Sequence, residues 1–147
     1  LMTWLMNGQA PIAVTAVTRH IKPAIYPHVD DDATIILEYP GATGIIEASW
    51  NWPFGIKDLE VFGNKGYLHA LNGNKLEKRG NDSSSGNAGN INLVPPVFAD
   101  NLSYLAAALK GLVHDKQDLN SLENNLIVVK ILDAARRSAL EGKRIKW

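Results

Sequence analysis

Two tryptophans, Trp50 and Trp52, have the side chains of this sequence that are best suited to bind a sugar ring. They stand two residues apart in segment 44–52, which has the composition of a β-strand, so both indole rings are expected on one face of that strand. A flat indole ring packs against the apolar face of a sugar and keeps an N–H for a hydroxyl group. Both tryptophans could instead be core or interface aromatics. The pattern therefore predicts either a stacking surface for a sugar or a packing surface within the protein.

A second set of polar groups lies in segment 20–32, between the first two predicted strands. His20 and His28 could transfer protons or, with the carboxylates of Asp30–Asp32, bind a metal. Lys22 could bind a hydroxyl or a phosphate group. Carboxylates that lead into a strand, and a single lysine in a loop, are more often simply solvated. We therefore predict no metal site here.

Asp58 and Glu60 form a pair of carboxylates on one face of a predicted strand. Such a pair could perform acid–base chemistry on a glycoside, but that chemistry needs an apolar pocket, and nothing in the sequence supplies one. His69 and His114 have no convergent partner in the sequence. We assign no chemistry to these four residues.

Closely spaced strands position these side chains in the first half of the chain. The turns at Pro40–Gly41, 53–55 and 64–66 are short enough to force antiparallel hairpins. The predicted strands are 11–20, 33–39, 44–52, 58–63 and 66–71, with a further short one at 75–78. Segment Gly80–Asn92 consists mostly of Gly, Ser and Asn, which bury too little to offset the entropy of ordering, and it is predicted to be a flexible loop.

Helices are predicted at the start and in the last third of the chain. Leu1–Leu5 is helical and stops at Asn7-Gly8, Asp100 begins a helix to Leu109, and a helix from Asn120, with Glu123 in a capping-box position, ends at Gly142. In the last helix Leu122, Leu126, Val129 and Leu132 form an apolar stripe, flanked by Ile127, Ile131 and Ala134, that should pack on the sheet. Residues 144–147 are strand-like.

The predicted fold class is α+β, with an antiparallel or mixed sheet of about five to seven strands and helices on one face, in a single domain over residues 1–147. A sheet that is covered on one side leaves its other face to water or to a partner. Strand residues such as Ile36, Ile46 and Val61 give both faces an apolar character. We therefore expect a homo-oligomer formed through the open face.

Composition excludes several classes of function. The chain of 147 residues carries 15 basic and 15 acidic residues, so no net field recruits a nucleic acid or an anionic membrane surface. No apolar stretch approaches the roughly 20 residues that span a bilayer. Without cysteine there is no disulfide framework, thiolate zinc site or cysteine nucleophile. The compartment stays open, because cysteine-free chains occur on both sides of a membrane.

Four pieces of the sequence, in this order, resemble the C-terminal domain of the glucose-fructose oxidoreductase, inositol dehydrogenase and rhizopine catabolism family. They are LMTWLMNG followed by PIAVTAV, the block DDDATIILEYPGATGIIEASWNW, the block DLEVFGNKGYLHA, and the closing ILDAARRSALEGKRIKW. The similarity covers nearly the whole chain except the stretch from Gly80 to Asn92. No single piece is diagnostic, but their order and spacing make the match fairly specific.

The resemblance implies an NAD(P)-dependent oxidoreductase whose nucleotide-binding half lies upstream. Members of the family carry an N-terminal Rossmann domain, a Lys in a Glu-Lys-Pro motif, and an Asp and a His on the helix that opens the C-terminal domain. None of these occurs in this chain, which has no G-x-G-x-x-G. NAD or NADP is therefore expected in the other half of a longer parent protein. No catalytic or cofactor-binding residue is assigned here, and the isolated fragment is expected to be inactive.

The same resemblance implies where the substrate would lie. If the opening helix runs antiparallel to strand 11–20, the loop that follows this strand and the turn at 52–57 lie at the active-site end of the sheet. The candidate residues on the substrate side are His20, Lys22, Tyr26, His28, Trp52 and Phe54.

The expected activity is hydride transfer to or from a sugar, polyol or cyclitol. Two alternatives stay open. One is a non-catalytic module for oligomerisation or carbohydrate binding, and the other is NAD-dependent glycoside cleavage within the same family. A Gly-rich strand-turn-helix upstream of Leu1 would favour the enzyme over the module.

Overall fold

The computed structural model describes residues 1–72, 75–80, 87–90, 100–113 and 120–147. The chain divides into two compact units. The first unit comprises Leu1–Trp52 and Val113–Trp147, and the second comprises Pro53–Leu112. A single domain over the whole chain stays a prediction.

Helices and strands lie close to the ranges predicted from the sequence. In chain order they are α1 Met2–Leu5, β1 Ala13–Arg19, β2 Asp32–Tyr39, β3 Ala42–Ser49, β4 Leu59–Gly63, β5 Gly66–Leu71, β6 Lys75–Gly80, β7 Asn87–Asn90, α2 Asn101–Leu109, α3 Leu122–Glu141 and β8 Ile145–Lys146. The first unit has a sheet in the order β3-β2-β1-β8, and the second has a sheet in the order β4-β5-β6-β7. All of these pairings are antiparallel, which confirms the predicted α+β class.

The predicted hairpin between segments 44–52 and 58–63 is wrong. Strand β3 already ends at Ser49, and β4 pairs with β5 in the second sheet. The connection between β3 and β4 is much longer than a two-residue turn, so it does not force the two strands to pair. Trp50 and Trp52 therefore follow strand β3 and do not share one of its faces.

The core of the first unit lies between one face of its sheet and helix α3. Val14 and Leu37 face each other across β1 and β2, and both are almost completely buried. The full set of buried core residues is Val14, Ala16, Leu37, Tyr39, Ile131, Ala134, Ala135 and Ile145. We call this side of the sheet the inner face.

The apolar stripe predicted for α3 is not the one that packs on the sheet. Its four members are all more than half exposed, namely Leu122, Leu126, Val129 and Leu132. The flanking residue Ile131 lies in the core instead, beside Ala134 and Ala135. The two alanines lack bulky side chains, so the helix can approach the sheet closely on that side. The helix is apolar around much of its circumference, so spacing alone could not identify the buried side.

Helix α1 packs on the inner face through a close contact. A Cβ atom added at Gly44 would lie 2.9 Å from Cε of Met2, so a larger residue at this position would make the end of the Met2 side chain shift. The hydroxyl group of Thr3 donates a hydrogen bond to Oδ1 of Asn124, and both residues are buried. The start of the chain is thus attached to both the sheet and α3.

Ser138 of α3 completes the hydrogen bonding of β1 beyond its short pairing with β8. Its buried Oγ accepts a hydrogen bond of 2.9 Å from the N–H of Ala16 and donates one of 2.7 Å to the carbonyl oxygen of Lys143. Since β8 pairs only with Ala13 and Val14, this hydroxyl replaces the missing strand partner of Ala16.

A Ser138→Ala variant is expected to lower the free energy of unfolding by about 1–3 kcal/mol, because a buried N–H loses its acceptor. Urea denaturation measures this change, and hydrogen exchange at the amide of Ala16 should become faster. The control is Thr43→Ala, an exposed β3 position that is expected to change stability by less than about 0.5 kcal/mol. Equal stability of the two variants would contradict this role for Ser138.

The second unit contains an antiparallel meander. Strand β6 extends to Gly80, and β7 pairs with it through residues 87–90. Gly80 and residues 87–90 thus lie in paired strands and not in a loop, since a backbone ladder can form without large side chains. The predicted flexibility of Gly80–Asn92 stays a prediction. The remainder of that predicted loop, 81–86 and 91–92, lies outside the described residues.

The capping residues predicted from the sequence lie at or within one residue of the observed helix ends. The Asp100 carboxylate accepts hydrogen bonds of 2.8 Å from the N–H groups of Leu102 and Ser103, which confirms it as the cap of α2. The cap of α3 is Ser121, one residue later than predicted, and Gly142 ends this helix with a φ of 62°. No helix within the described ranges is long and apolar enough to cross a membrane.

Candidate functional site

A buried carboxylate joins three chain segments at one end of the first sheet. Asp31 is only 3% exposed and precedes β2 directly. Its carboxylate accepts hydrogen bonds from the N–H groups of Ile21 (2.8 Å) and Lys22 (2.7 Å) and from Nδ2 of Asn51 (3.1 Å). Its backbone continues this connection, since its N–H donates to Arg19 and its carbonyl oxygen accepts from Trp50. The ends of β1 and β3 are thus fixed to the start of β2.

The charge of Asp31 is stabilised where it lies. Burial by itself raises the pKa of this carboxyl, but the three hydrogen bonds and the nearby His20 outweigh that effect, so the pKa lies below the ordinary value of 3.8. The carboxylate is therefore ionised at neutral pH. Its contribution to stability is fully present above about pH 4, the ordinary pKa of the unfolded chain, and is lost as the pH falls through the lower folded value.

Lys22 extends from this network across the end of β3. Its Nζ donates to the carbonyl oxygens of Trp50 at 3.4 Å and Asn51 at 3.5 Å, which are long contacts. The side chain is half-buried. An ammonium group has three N–H donors, so these two carbonyls do not use all of its capacity.

Two aromatic rings belong to residues whose backbones are hydrogen-bonded to Lys22. The rings of Tyr26 and Trp50 have centroids 4.9 Å apart and planes inclined by 50°. The Tyr26 N–H donates to the carbonyl oxygen of Lys22, and Nε2 of His20 contacts the carbonyl oxygen of Tyr26. Trp50 is 61% exposed, so much of its ring is free to contact a ligand. We refer to Lys22, Tyr26, Asp31, Trp50 and Asn51 together as the loop cluster.

The structure brings together some of the residues predicted on the substrate side. His20, Lys22 and Tyr26 lie in or against the loop cluster. His28 is exposed in the same loop, and Trp52 is exposed just beyond Asn51. Phe54, 67% exposed, belongs to the second unit.

Asp31 and Asn51 were missed as separate site residues. Asp31 appeared in the sequence only as one of three consecutive aspartates. A possible signal was its position directly before a strand and opposite the end of the preceding strand, where free N–H groups need an acceptor. Asn51 gave no signal of its own, because its role depends on the position of Asp31.

A second polar cluster lies on the sheet of the second unit. Nε2 of His69 is 3.5 Å from Oδ2 of Asp58 and 3.7 Å from Oε1 of Glu60, and Nδ1 is 4.0 Å from Oε2 of Glu77. The sequence shows no partner for His69, whereas the structure places three carboxylates within 4.0 Å of its ring nitrogens. The strand register gives the reason, since Glu60, His69 and Glu77 stand opposite one another across β4, β5 and β6.

Tyr67 adjoins this cluster. Its ring centroid is 6.0 Å from that of His69 and 4.7 Å from that of Phe62. Burial raises the pKa of Tyr67 above 10.0, and the charge of Glu60 together with a hydrogen bond to it raises the pKa further.

Within the described part of the chain, no group of three or more His, Cys, Asp and Glu side chains could hold a metal ion.

Comparisons with known proteins agree with the fold. Residues 1–69 match the family model for the GFO/IDH/MocA C-terminal domain. The structure resembles an oxidoreductase from Agrobacterium radiobacter, crystallised with NAD+, L-tartaric acid and magnesium, with a TM-score of 0.74 and 20% identity. It also resembles an inositol dehydrogenase homolog from Azotobacter vinelandii, complexed with NADH and myo-inositol, with a TM-score of 0.67 and 15% identity.

Both similarities cover 99% of this chain but only 45% and 47% of the two relatives, so the chain spans slightly less than half of their length. A search of curated proteins found no match. The family-model match and the whole-chain structural similarity confirm the resemblance seen in the sequence. Over residues 1–69 the chain therefore resembles the GFO/IDH/MocA C-terminal domain family.

Proposed function

We propose that this chain is the substrate-side domain of an NAD(P)-dependent oxidoreductase that acts on a sugar, polyol or cyclitol. The observation that carries the proposal is the loop cluster. It combines a lysine donor with an exposed aromatic face at one end of the sheet, and these are groups that bind a polyhydroxylated ring. Support also comes from the Azotobacter vinelandii relative, which holds NADH and myo-inositol.

The described residues of this chain do not form a Rossmann-type dinucleotide site. No G-x-G-x-x-G occurs in the sequence. Every strand pairing between described residues is antiparallel, whereas the Rossmann unit needs parallel strands with a glycine-rich turn leading into a helix. The proposal therefore assigns the cofactor, which accepts or supplies the hydride, to another part of the protein. The role left to this chain is to bind and orient the substrate.

A prediction follows for the chain on its own. It is expected to bind neither NADH nor NADPH, because the loop that holds the phosphates and the helix N-terminus behind it are absent from its sequence. Nucleotide fluorescence or calorimetric titration measures this. Binding with a micromolar dissociation constant would contradict the assignment of this chain to the substrate side.

The test of the proposed activity uses the whole protein. We expect NAD(P)+ to be reduced in the presence of a polyol or cyclitol, and nicotinamide absorbance follows the reaction across a panel of such compounds. Release of a sugar from a glycoside, without net nicotinamide reduction, would instead indicate NAD-dependent glycosidase activity. If the protein binds carbohydrate but neither reaction occurs, it is a binding module.

We further propose that the outer face of the first sheet, opposite the inner face, forms a homo-oligomer. Ile45, Ile36 and Thr15 stand opposite one another across three strands of this face, and Ile45 is 58% exposed. Arg144 borders the face and donates two hydrogen bonds of 2.7 Å to the Glu38 carboxylate. These β-branched residues, with an ion pair at the edge of the face, suit self-association better than they suit water.

A further inference from the structure

We propose that Asp31 is a positioning residue, whose buried carboxylate fixes the Lys22 ammonium where it donates a hydrogen bond to a hydroxyl oxygen of the substrate. This inference rests on the proposed function, because it assumes that the loop cluster faces the substrate. It assigns a distinct role to a residue that does not itself contact the ligand.

The hydrogen bonds of Asp31 favour positioning over direct chemistry. Its carboxylate already accepts three hydrogen bonds, and the residue is only 3% exposed. A carboxylate so occupied has little capacity left to accept a proton from a substrate. Its negative charge instead serves the N–H groups around it, which form stronger hydrogen bonds to an ionised acceptor.

The same carboxylate controls both ends of the Lys22 contact. The N–H groups of Ile21 and Lys22 bind its two oxygens, which fixes the backbone from which the lysine side chain extends. Nδ2 of Asn51 binds one of these oxygens, which fixes the segment whose carbonyls receive the ammonium. Loss of the carboxylate would therefore release the backbone that carries the lysine. It would also remove one of the hydrogen bonds that hold Trp50 and Asn51, which keep their bonds to the Asp31 carbonyl oxygen.

The groups that remain are suited to a hydroxyl. The ammonium of Lys22 keeps donor capacity beyond two long contacts to carbonyl oxygens. A hydroxyl oxygen has lone pairs that can accept a hydrogen bond from this ammonium.

The test compares Asp31→Asn with Lys22→Met and the control Asp30→Asn in the whole protein, with a polyol substrate and NAD(P)+. Asp30 is an exposed neighbour in the same loop. Both Asp31→Asn and Lys22→Met are expected to raise the KM for the polyol about tenfold or more, with the KM for the nucleotide unchanged. Asp30→Asn should match the wild type. The double variant should be no worse than Lys22→Met alone, since both changes remove one interaction.

The outcomes separate this inference from the proposed function. An unchanged polyol KM in Lys22→Met would overturn the loop cluster as a substrate site. A raised polyol KM in Lys22→Met would support the loop cluster as a substrate site. The positioning role alone would then be overturned if Asp31→Asn had the same polyol KM as Asp30→Asn. It would also be overturned if the effects of Asp31→Asn and Lys22→Met were additive in the double variant.

A second measurement covers the case in which Asp31→Asn does not fold. In the wild type, the amide proton signals of Ile21 and Lys22 should shift together as Asp31 is protonated below pH 3.8, because the acceptor loses its charge. Signals that do not move while Asp31 titrates would overturn the proposal.

Discussion

An Ile45→Glu variant is expected to sediment as a monomer that keeps the wild-type fold. Ile45 is 58% exposed on β3, the edge strand of the outer face. A carboxylate at this position stays in water in the monomer but would be buried without a partner charge in the assembly. We expect self-association to weaken about a hundredfold or more. Sedimentation velocity measures the assembly, and circular dichroism measures the fold.

The adjacent residue provides a matched control. Ile46 points to the inner face and packs against the core formed with α3. Ile46→Glu therefore buries a charge inside the subunit and should unfold it. A wild-type chain that stays monomeric at high concentration would refute the interface, as would an Ile45→Glu variant that assembles like the wild type.

Local signals in the sequence predicted most of the elements. Alternating β-branched residues indicated β1 and β2, and the Pro40–Gly41 turn joined β2 to β3 as expected. Caps at Asp100 and Gly142 placed two helix ends, because hydrogen bonds between near neighbours in the chain decide such features.

Features that depend on distant contacts could not be predicted in the same way. The division into two sheets depends on where β3 stops pairing. The buried side of α3 depends on how closely its alanines approach the sheet. The leucines of the predicted stripe also recur at helical spacing, but they do not pack on the sheet. The cluster around His69 required the register of three strands before its members could be seen to meet.

The candidate site shows the same limit. Strand topology predicted that the loop with Lys22 and Tyr26 lies at the same end of the sheet as the residues after β3, because the direction of each strand follows from its hairpins. It did not reveal the three hydrogen bonds to Asp31, which come from two separate segments of the chain. The sequence also predicted that Trp50 and Trp52 share one face of a strand. In the structure both residues follow β3, and of these two tryptophans only Trp50 contacts the ring of Tyr26.

This difference between the two tryptophans leads to the second large effect expected. In the whole protein, Trp50→Ala should lower kcat/KM for a polyol by between about twofold and somewhat more than tenfold, because a stacking ring contributes about 0.5–1.5 kcal/mol beyond its burial. Affinity for the nucleotide should hardly change. Trp50→Phe keeps an aromatic face next to Tyr26 and should recover most of the loss.

Trp52→Ala is the matched comparison, since Trp52 is also exposed, at 39%, but lies outside the contact with Tyr26. Its effect on kcat/KM should be smaller than that of Trp50→Ala. Steady-state kinetics of the three variants, normalised to folded subunit by circular dichroism, decide the order. A larger loss in Trp52→Ala would place the sugar on the ring that was first predicted from the sequence. If all three variants have the same kcat/KM per folded subunit as the wild type, the aromatic residues at this end of the sheet are packing residues and do not bind substrate.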